Sequence, residues 1–186
     1  MRIVFIRHGK TPGNLSKRYI GRTDEPLCAE GADELRLRIY PRCDAVICSP
    51  MKRCIQTAEI IYKGQETAVF PELRECDFGD FEGKNYLELS GSKDYQKWID
   101  SGGKIAFPNG ESPDEFRKRC ISGFQRAVSE YREVQSAAFV VHGGTIMSIM
   151  DKYAVPHRDY YDWQIANGCG FVTEFDGEKI TVLEKI

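Results

Sequence analysis

Short apolar runs, each about the length of a strand, alternate along this chain with stretches in which apolar residues recur at helical spacing. Strand-like segments fall at Arg2 to Ile6, Ala45 to Cys48, Ala68 to Phe70 and Ala138 to Val141. Helical patterns separate them, so the alternation predicts an α/β fold: a three-layer α/β/α sandwich around a mostly parallel sheet. The helix after Pro50 repeats Met51, Ile55, Ala58 and Tyr62 along one face, with Ser49 placed to cap it and Pro50 suited to its first position. Arg53 then falls in the first turn. Ser112-Pro113-Asp114-Glu115 is a capping-box pattern, and Phe116, Cys120, Phe124, Ala127 and Tyr131 follow it as a core-facing stripe. A third helix is expected after Gly143 and Gly144, burying Ile146, Ile149, Met150 and Tyr153. Near the end of the chain, Asp176-Gly177 between two strand-like runs signals a hairpin, which would give the sheet an antiparallel edge. The least regular segment, 81–110, carries Tyr86, Tyr95, Trp98 and Phe107 and reads as a cap-like excursion from the sheet.

With 186 residues, 41% of them hydrophobic, the chain suits one domain over 1–186 with a full core. Its net charge of -2 provides no broad field to gather nucleic acid or an anionic membrane, which leaves small solutes as the expected partners. No apolar run approaches the ~20 residues that span a bilayer. The first strand begins at once, without an export-type segment. Seven scattered cysteines show no C-x-x-C spacing, and an odd number cannot pair completely, so a reduced, cytoplasmic protein is expected. Cys48, Cys54 and Cys120 read as small core residues. His8 and His142 lack the neighbouring thiolates or His-x-x-x-His spacing of a metal site, and neither metal nor cofactor is expected. No heptad seam or other signature specifies an oligomeric state.

The chemistry gathers at strand ends. Arg7-His8-Gly9 follows the first strand, and His142-Gly143-Gly144 follows the strand ending at Val141. Two of the chain's three histidines thus terminate strands, where α/β proteins place their ligands; the third, His157, reads as a surface residue. The alternative is a pair of satisfied strand-capping histidines. Against it stand Arg53 at a strand-to-helix junction and Glu75 after another strand, which complete a set suited to phosphoryl transfer. A phosphate monoester repels nucleophiles, so cations and donors must surround its oxygens before attack can compete. Arginine does this with a planar fork that stays charged. Arg7, Arg53 and one protonated histidine would supply the charge. A nucleophilic histidine needs one nitrogen unprotonated and the other held by a hydrogen bond, for which the loop at Gly9 offers a carbonyl. Glu75 would protonate the leaving oxygen if burial and the phosphate raise its pKa from ~4.3. Glu72, Asp77 and Glu82 are its rivals.

This ordered set resembles the histidine phosphatase, or phosphoglycerate mutase-like, superfamily over nearly the whole chain. Arg7-His8-Gly9-Lys10-Thr11 with Asn14 is similar to the family's opening motif, and Gly21-Arg22-Thr23-Asp24-Glu25-Pro26-Leu27 followed by Gly31 to its next block. Ser49-Pro50-Met51-Lys52-Arg53, Glu72-Leu73-Arg74-Glu75, Asn109-Gly110-Glu111-Ser112 and His142-Gly143-Gly144-Thr145 continue in order. The resemblance implies that His8 is a phosphohistidine nucleophile, that Arg7, Arg53 and His142 bind the phosphoryl group, and that Glu75 is the acid/base. It further implies that Asn14, Gly21 and Gly143 contact substrate. Two positions depart from the pattern. Lys10 stands where the family mostly has Glu or Gln, and reads either as a solvated loop residue or as a cation favouring a more anionic substrate. Met147 stands where an arginine is common.

The short interval between Glu75 and Ser112, and an end soon after the last strand, resemble the family's phosphatases more than its mutases. Members acting on α-ribazole phosphate resemble this chain in length and in the Gly21 to Gly31 block, features that sugar-phosphate and broad-specificity phosphatases share. Phosphoglycerate mutase-type transfer is the alternative enzyme, and a non-catalytic module binding phosphorylated ligands is the alternative outside catalysis.

Overall fold

A computed structural model describes all of residues 1–186. Strand β1 (Arg2–Arg7) leads through a short helix, α1 (Pro12–Leu15), to α2 (Ala29–Leu37). Then come β2 (Ala45–Cys48), α3 (Lys52–Ile61) and β3 (Thr67–Val69). The excursion holds two short helices, α4 (Tyr86–Leu89) and α5 (Lys93–Asp100). Beyond it lie α6 (Pro113–Glu130), β4 (Ser136–Val141), α7 (Gly143–Tyr153), β5 (Ala154–Val155), β6 (Gly170–Phe175) and β7 (Ile180–Lys185).

The seven strands form one sheet in the order β3-β2-β4-β1-β6-β7-β5. Its centre is parallel: β4 pairs with β1 on one side and β2 on the other, and all of β2 and β4 is buried. That burial on both faces explains why these strands read as continuous apolar runs rather than alternating ones. Along β1, Ile3 and Phe5 join β4's Phe139 under α6 and α7, where Phe124, Ile146 and Ile149 meet them. Val4 and Ile6 face the other way, with Val46 and Cys48 of β2, onto Cys54 and Ala58 of α3. The three expected layers are therefore α6 and α7, the sheet, and α3.

The hairpin forms, with Phe175 paired to Ile180 and Asp176 Oδ1 accepting from the amides of Glu178 and Lys179 at 2.8 and 2.7 Å. Its place differs from the expected edge. β6 lies antiparallel against β1, and the outermost strand is the two-residue β5, which runs parallel to β7. Ser112 caps α6 with Glu115 as expected. Ser49 does not cap α3, whose N-cap is Met51 without a side-chain hydrogen bond, because Ser49 is engaged elsewhere. The excursion packs around its own cluster, in which Phe81, Leu89 and Phe107 join Phe116 and Cys120 of α6. No helix is long and apolar enough to cross a membrane.

Candidate active site

Sheet register sets the site. Arg7 of β1 lies opposite Val141 of β4, and Cys48 of β2 opposite Val140. The residues leaving the carboxyl ends of these three adjacent parallel strands are therefore Ser49, His142 and Arg7-His8, side by side. The His8 and His142 rings lie 5.2 Å apart, inclined at 66°.

His8 is 4% exposed, and its Nδ1 lies 2.7 Å from the Gly9 carbonyl oxygen. A carbonyl only accepts, so Nδ1 carries the proton and Nε2 keeps its lone pair. The loop is held by the Gly9 amide donating to Thr57 Oγ1 at 3.0 Å. His142 has the complementary tautomer. Arg53 Nε donates to its Nδ1 at 3.3 Å, so its Nε2 bears the hydrogen, which goes to Ser49 Oγ at 2.7 Å. Burial, then the charge of Arg53, holds both imidazoles well below the ordinary histidine pKa. Both rings are neutral at neutral pH. The protonated histidine expected here would need a phosphoryl dianion to offset the two guanidiniums.

Arg7 donates Nη1 to the Ile165 carbonyl at 2.7 Å, while its buried Nε has no partner. Arg53 is completely buried, with Nη1 donating to Thr23 O at 2.8 Å and Nη2 to Gly21 O at 2.9 Å. Gly21 is needed at that point: a Cβ there would stand 1.8 Å from the Cys76 carbonyl oxygen. Gly21 was expected to contact substrate, but it does not line the cavity described next. Its carbonyl holds Arg53 and its amide donates to Glu82 Oε1 at 2.8 Å.

A cavity of ≈ 490 Å³ opens over His8, with Arg7, Asn14, Gly143 and Glu75 in its wall. Glu75 is its one carboxylate. Glu75 Oε1 accepts from the Cys76 amide at 3.0 Å and Oε2 from the Gly144 amide at 3.4 Å, in the first turn of α7. Burial raises the Glu75 pKa, opposed by those amides, Arg53 and Arg7. The rival carboxylates are occupied elsewhere: Glu72 pairs with Arg126 at 2.7 Å, Asp77 Oδ1 accepts from the Gly79 amide at 2.9 Å, and Glu82 takes the Gly21 and Thr23 amides. Arg53 and His142 lie behind this wall rather than in it.

Asn14 Oδ1 accepts from the Thr11 amide and from Asn167 Nδ2, both at 3.1 Å. Its own amide hydrogens are left for the cavity. Asn167, which no local pattern marks, also donates to the His8 carbonyl at 3.0 Å. Lys10 does not face the cavity. Its ammonium is paired to Glu30 at 2.7 Å and Glu34 at 2.5 Å on α2, which accounts for a lysine in that loop. Met147 does line the cavity, as do Trp98 and Phe107, whose rings stack 5.3 Å apart at 30°. Tyr86, another aromatic of the excursion, is 54% exposed. His157 is exposed, as expected, 3.5 Å from Asp151. No cluster of three or more His, Cys, Asp or Glu side chains is arranged to hold a metal.

Residues 3–185 match the family described as the histidine phosphatase superfamily, branch 1. The chain is 28% identical over 178 residues to the adenosylcobalamin/alpha-ribazole phosphatase of Escherichia coli (strain K12), covering 91% of this chain and 87% of that protein. Its structure superposes on the alpha-ribazole phosphatase from Shigella flexneri with a TM-score of 0.85 at 27% identity, over 98% of this chain and 95% of the other. A phosphoglycerate mutase from Thermus thermophilus gives a TM-score of 0.75 at 25% identity, over 100% and 98%. The fold is thus shared by phosphatases and a mutase.

Proposed function

The chain belongs to the histidine phosphatase superfamily, and we propose that it hydrolyses a small phosphate monoester through a phosphohistidine on His8, without a metal ion. The observation that carries this reading is the tautomer of His8: the Nδ1 hydrogen bond to Gly9 leaves an unprotonated Nε2 in a cavity whose one carboxylate has a raised pKa. Arg7, with its unpartnered Nε, and Asn14 would take the phosphoryl oxygens as they enter. Arg53 and His142 add charge and a hydrogen-bonding ring from behind. In the first half-reaction the Nε2 lone pair forms the N–P bond as the ester P–O bond breaks, and the leaving oxygen takes the Glu75 proton. In the second, water gives a proton to the Glu75 carboxylate as its oxygen attacks phosphorus. The N–P bond breaks, its electron pair returns to His8, and phosphate departs.

As substrate we propose α-ribazole 5'-phosphate. The reading draws on the relatives named above and on a cavity of nucleotide-compatible size walled by Trp98 and Phe107. A cytoplasmic setting suits seven unpaired cysteines. The test is product analysis with EDTA present, using α-ribazole phosphate, phosphoserine, an aryl phosphate, and 3-phosphoglycerate with its bisphosphate. Phosphate release with a much higher kcat/KM for α-ribazole phosphate is expected, together with an acid-labile phosphoenzyme that His8→Ala does not form. Formation of 2-phosphoglycerate without phosphate release would establish the mutase instead. No turnover or phosphoenzyme with any ester would leave phospho-ligand binding as the function.

A further inference from the structure

The segment that carries Glu75 has little backbone structure of its own. It leaves β3 through a single 3-10 turn at Pro71–Leu73, and Glu75 itself lies in no helix or strand. The carbonyl oxygens of Glu72, Arg74 and Glu75 accept no hydrogen bond from another backbone amide. All three are taken by one side chain. Arg119 of α6 donates Nη1 to Glu72 O at 2.7 Å and to Arg74 O at 2.9 Å, and Nη2 to Glu75 O at 3.3 Å. The rest of its fork is bidentate to Glu111, Nε to Oε1 at 2.8 Å and Nη2 to Oε2 at 2.7 Å, with both side chains about 15% exposed or less. Glu111 continues the grip, since its amide donates to the Asp77 carbonyl at 2.9 Å and its Oε2 accepts from the Asp77 amide at 3.4 Å.

We infer that Arg119, locked by Glu111, is the positioning residue for the general acid: it fixes the backbone from which Glu75 reaches the cavity. Arg119 does not line the cavity over His8; with Glu111 it lines a second space of ≈ 520 Å³ that shares Glu75 with the first. The guanidinium is required for its shape. Five N–H groups in a rigid plane satisfy three carbonyls and a carboxylate together, which an ammonium on a flexible stem cannot do. The inference rests on Glu75 being the acid.

The test is leaving-group dependence. Kinetics of Glu75→Gln, Arg119→Lys, Arg119→Ala and Glu111→Gln are measured with an alkyl phosphate, which needs its leaving oxygen protonated, and with an activated aryl phosphate, which does not. Positioned acid catalysis is worth about 10²–10⁴-fold, so Glu75→Gln is expected to lose at least ~100-fold more kcat/KM, which reports the steps through phosphohistidine formation, on the alkyl ester than on the aryl ester. Arg119→Lys and Arg119→Ala are expected to follow with a selective loss of ~10-fold or more, as a displaced acid retains part of that advantage. The kcat/KM for the aryl ester should stay near its original value, and the limb of the pH profile set by Glu75 should move in the Arg119 variants. A role confined to stability would lower both rates equally, through the amount of folded enzyme. Equal losses in the Arg119 variants beside a selective loss in Glu75→Gln would overturn the positioning role and leave the acid in place. Equal losses in Glu75→Gln itself would remove the acid, and the inference with it. If Arg119→Ala does not fold, Arg119→Lys and Glu111→Gln carry the same comparison.

Discussion

Ser49→Ala isolates one buried hydrogen bond whose loss should register in both stability and turnover. Ser49 is fully buried, and its Oγ lies 2.7 Å from His142 Nε2. Because Arg53 donates to Nδ1 of the same ring, Nε2 must be the protonated nitrogen and Ser49 its acceptor. Alanine leaves that N–H buried, with the Cys54 sulfur at 3.5 Å as its remaining neighbour, and sulfur is a weak acceptor. An unsatisfied buried donor costs about 1–3 kcal/mol, so a destabilisation of about 2 kcal/mol is expected in urea unfolding. For a chain of this size that lowers Tm by roughly 4–8 °C. The ring also loses the contact that holds its Nε2 side, leaving Arg53 alone to orient it through Nδ1. Turnover should therefore fall by a similar factor for alkyl and aryl esters, since His142 is proposed to serve the phosphoryl group rather than the leaving group. Nitrogen chemical shifts of His142 should show the Nε2–H tautomer in the parent and in Ser49→Ala alike, because Arg53 can only donate to Nδ1. A stability change under about 0.5 kcal/mol, or an Nδ1–H tautomer in the parent, would refute the assignment of donor and acceptor.

Three further expectations follow from the same geometry. Stability should fall as pH drops through the ordinary histidine range: His8 and His142 have depressed pKa values, so the unfolded chain takes up protons near pH ~6.5 that the folded chain refuses, at up to about 1.4 kcal/mol per pH unit for each. Glu75 has a raised pKa and opposes this, favouring the fold in acid and losing that advantage as pH rises through its folded value. Urea unfolding between about pH 7.5 and about pH 5 should show a shallower slope for His142→Gln than for the parent, and an unchanged slope would contradict the neutral buried ring. Gly144→Ala puts a Cβ 2.5 Å from Glu75 Oε1 and 2.9 Å from Phe116 Cζ, so the carboxylate must move. Its alkyl-to-aryl rate ratio should fall by ~10-fold or more, and an unchanged ratio would show that the carboxylate need not occupy this place. Trp98→Ala should cost about 1 kcal/mol, roughly fivefold in kcat/KM, for an ester bearing an aromatic ring and spare phosphoserine. Equal losses on the two would assign Trp98 to packing alone.

The parts of the fold legible in the chain are those set by short-range periodicity. β1, β2 and β4 are buried on both faces and therefore read as unbroken apolar runs, and Ser112 caps α6 with Glu115 three residues on. What misled was a local signal with a distant competitor. Ser49 has the ideal placement to cap α3, yet a histidine 93 positions later takes its hydroxyl, because β2 and β4 turn out to be neighbours. The Asp-Gly turn was visible, but whether its strands lie at an edge depends on β1 accepting β6, which no turn encodes. Lys10 likewise takes its meaning from Glu30 and Glu34 across a loop.

The site divides along the same line. His8, His142 and Arg53 announce themselves because each stands at the junction of a strong strand with a glycine turn or a helix start, so chemistry and element boundary coincide within a few residues. Asn167 and Arg119 have no such boundary to mark them, and their partners include backbone carbonyls, which carry no sequence signature; Glu111 falls in a recognisable motif beside the α6 cap, but its pairing with Arg119 is not written there. The division has a physical consequence. Burial, and then the guanidiniums that would attract a phosphoryl group, suppress protonation of His8, so a nucleophile in this setting stays unprotonated without any pattern of its own in the chain. The acid has no equivalent safeguard. Burial raises the Glu75 pKa, but Arg7, Arg53 and two amides pull it down, and the balance depends on where the carboxylate stands. Placement is thus the quantity left to control, and the segment bearing Glu75 receives its fixed position from side chains outside the cavity.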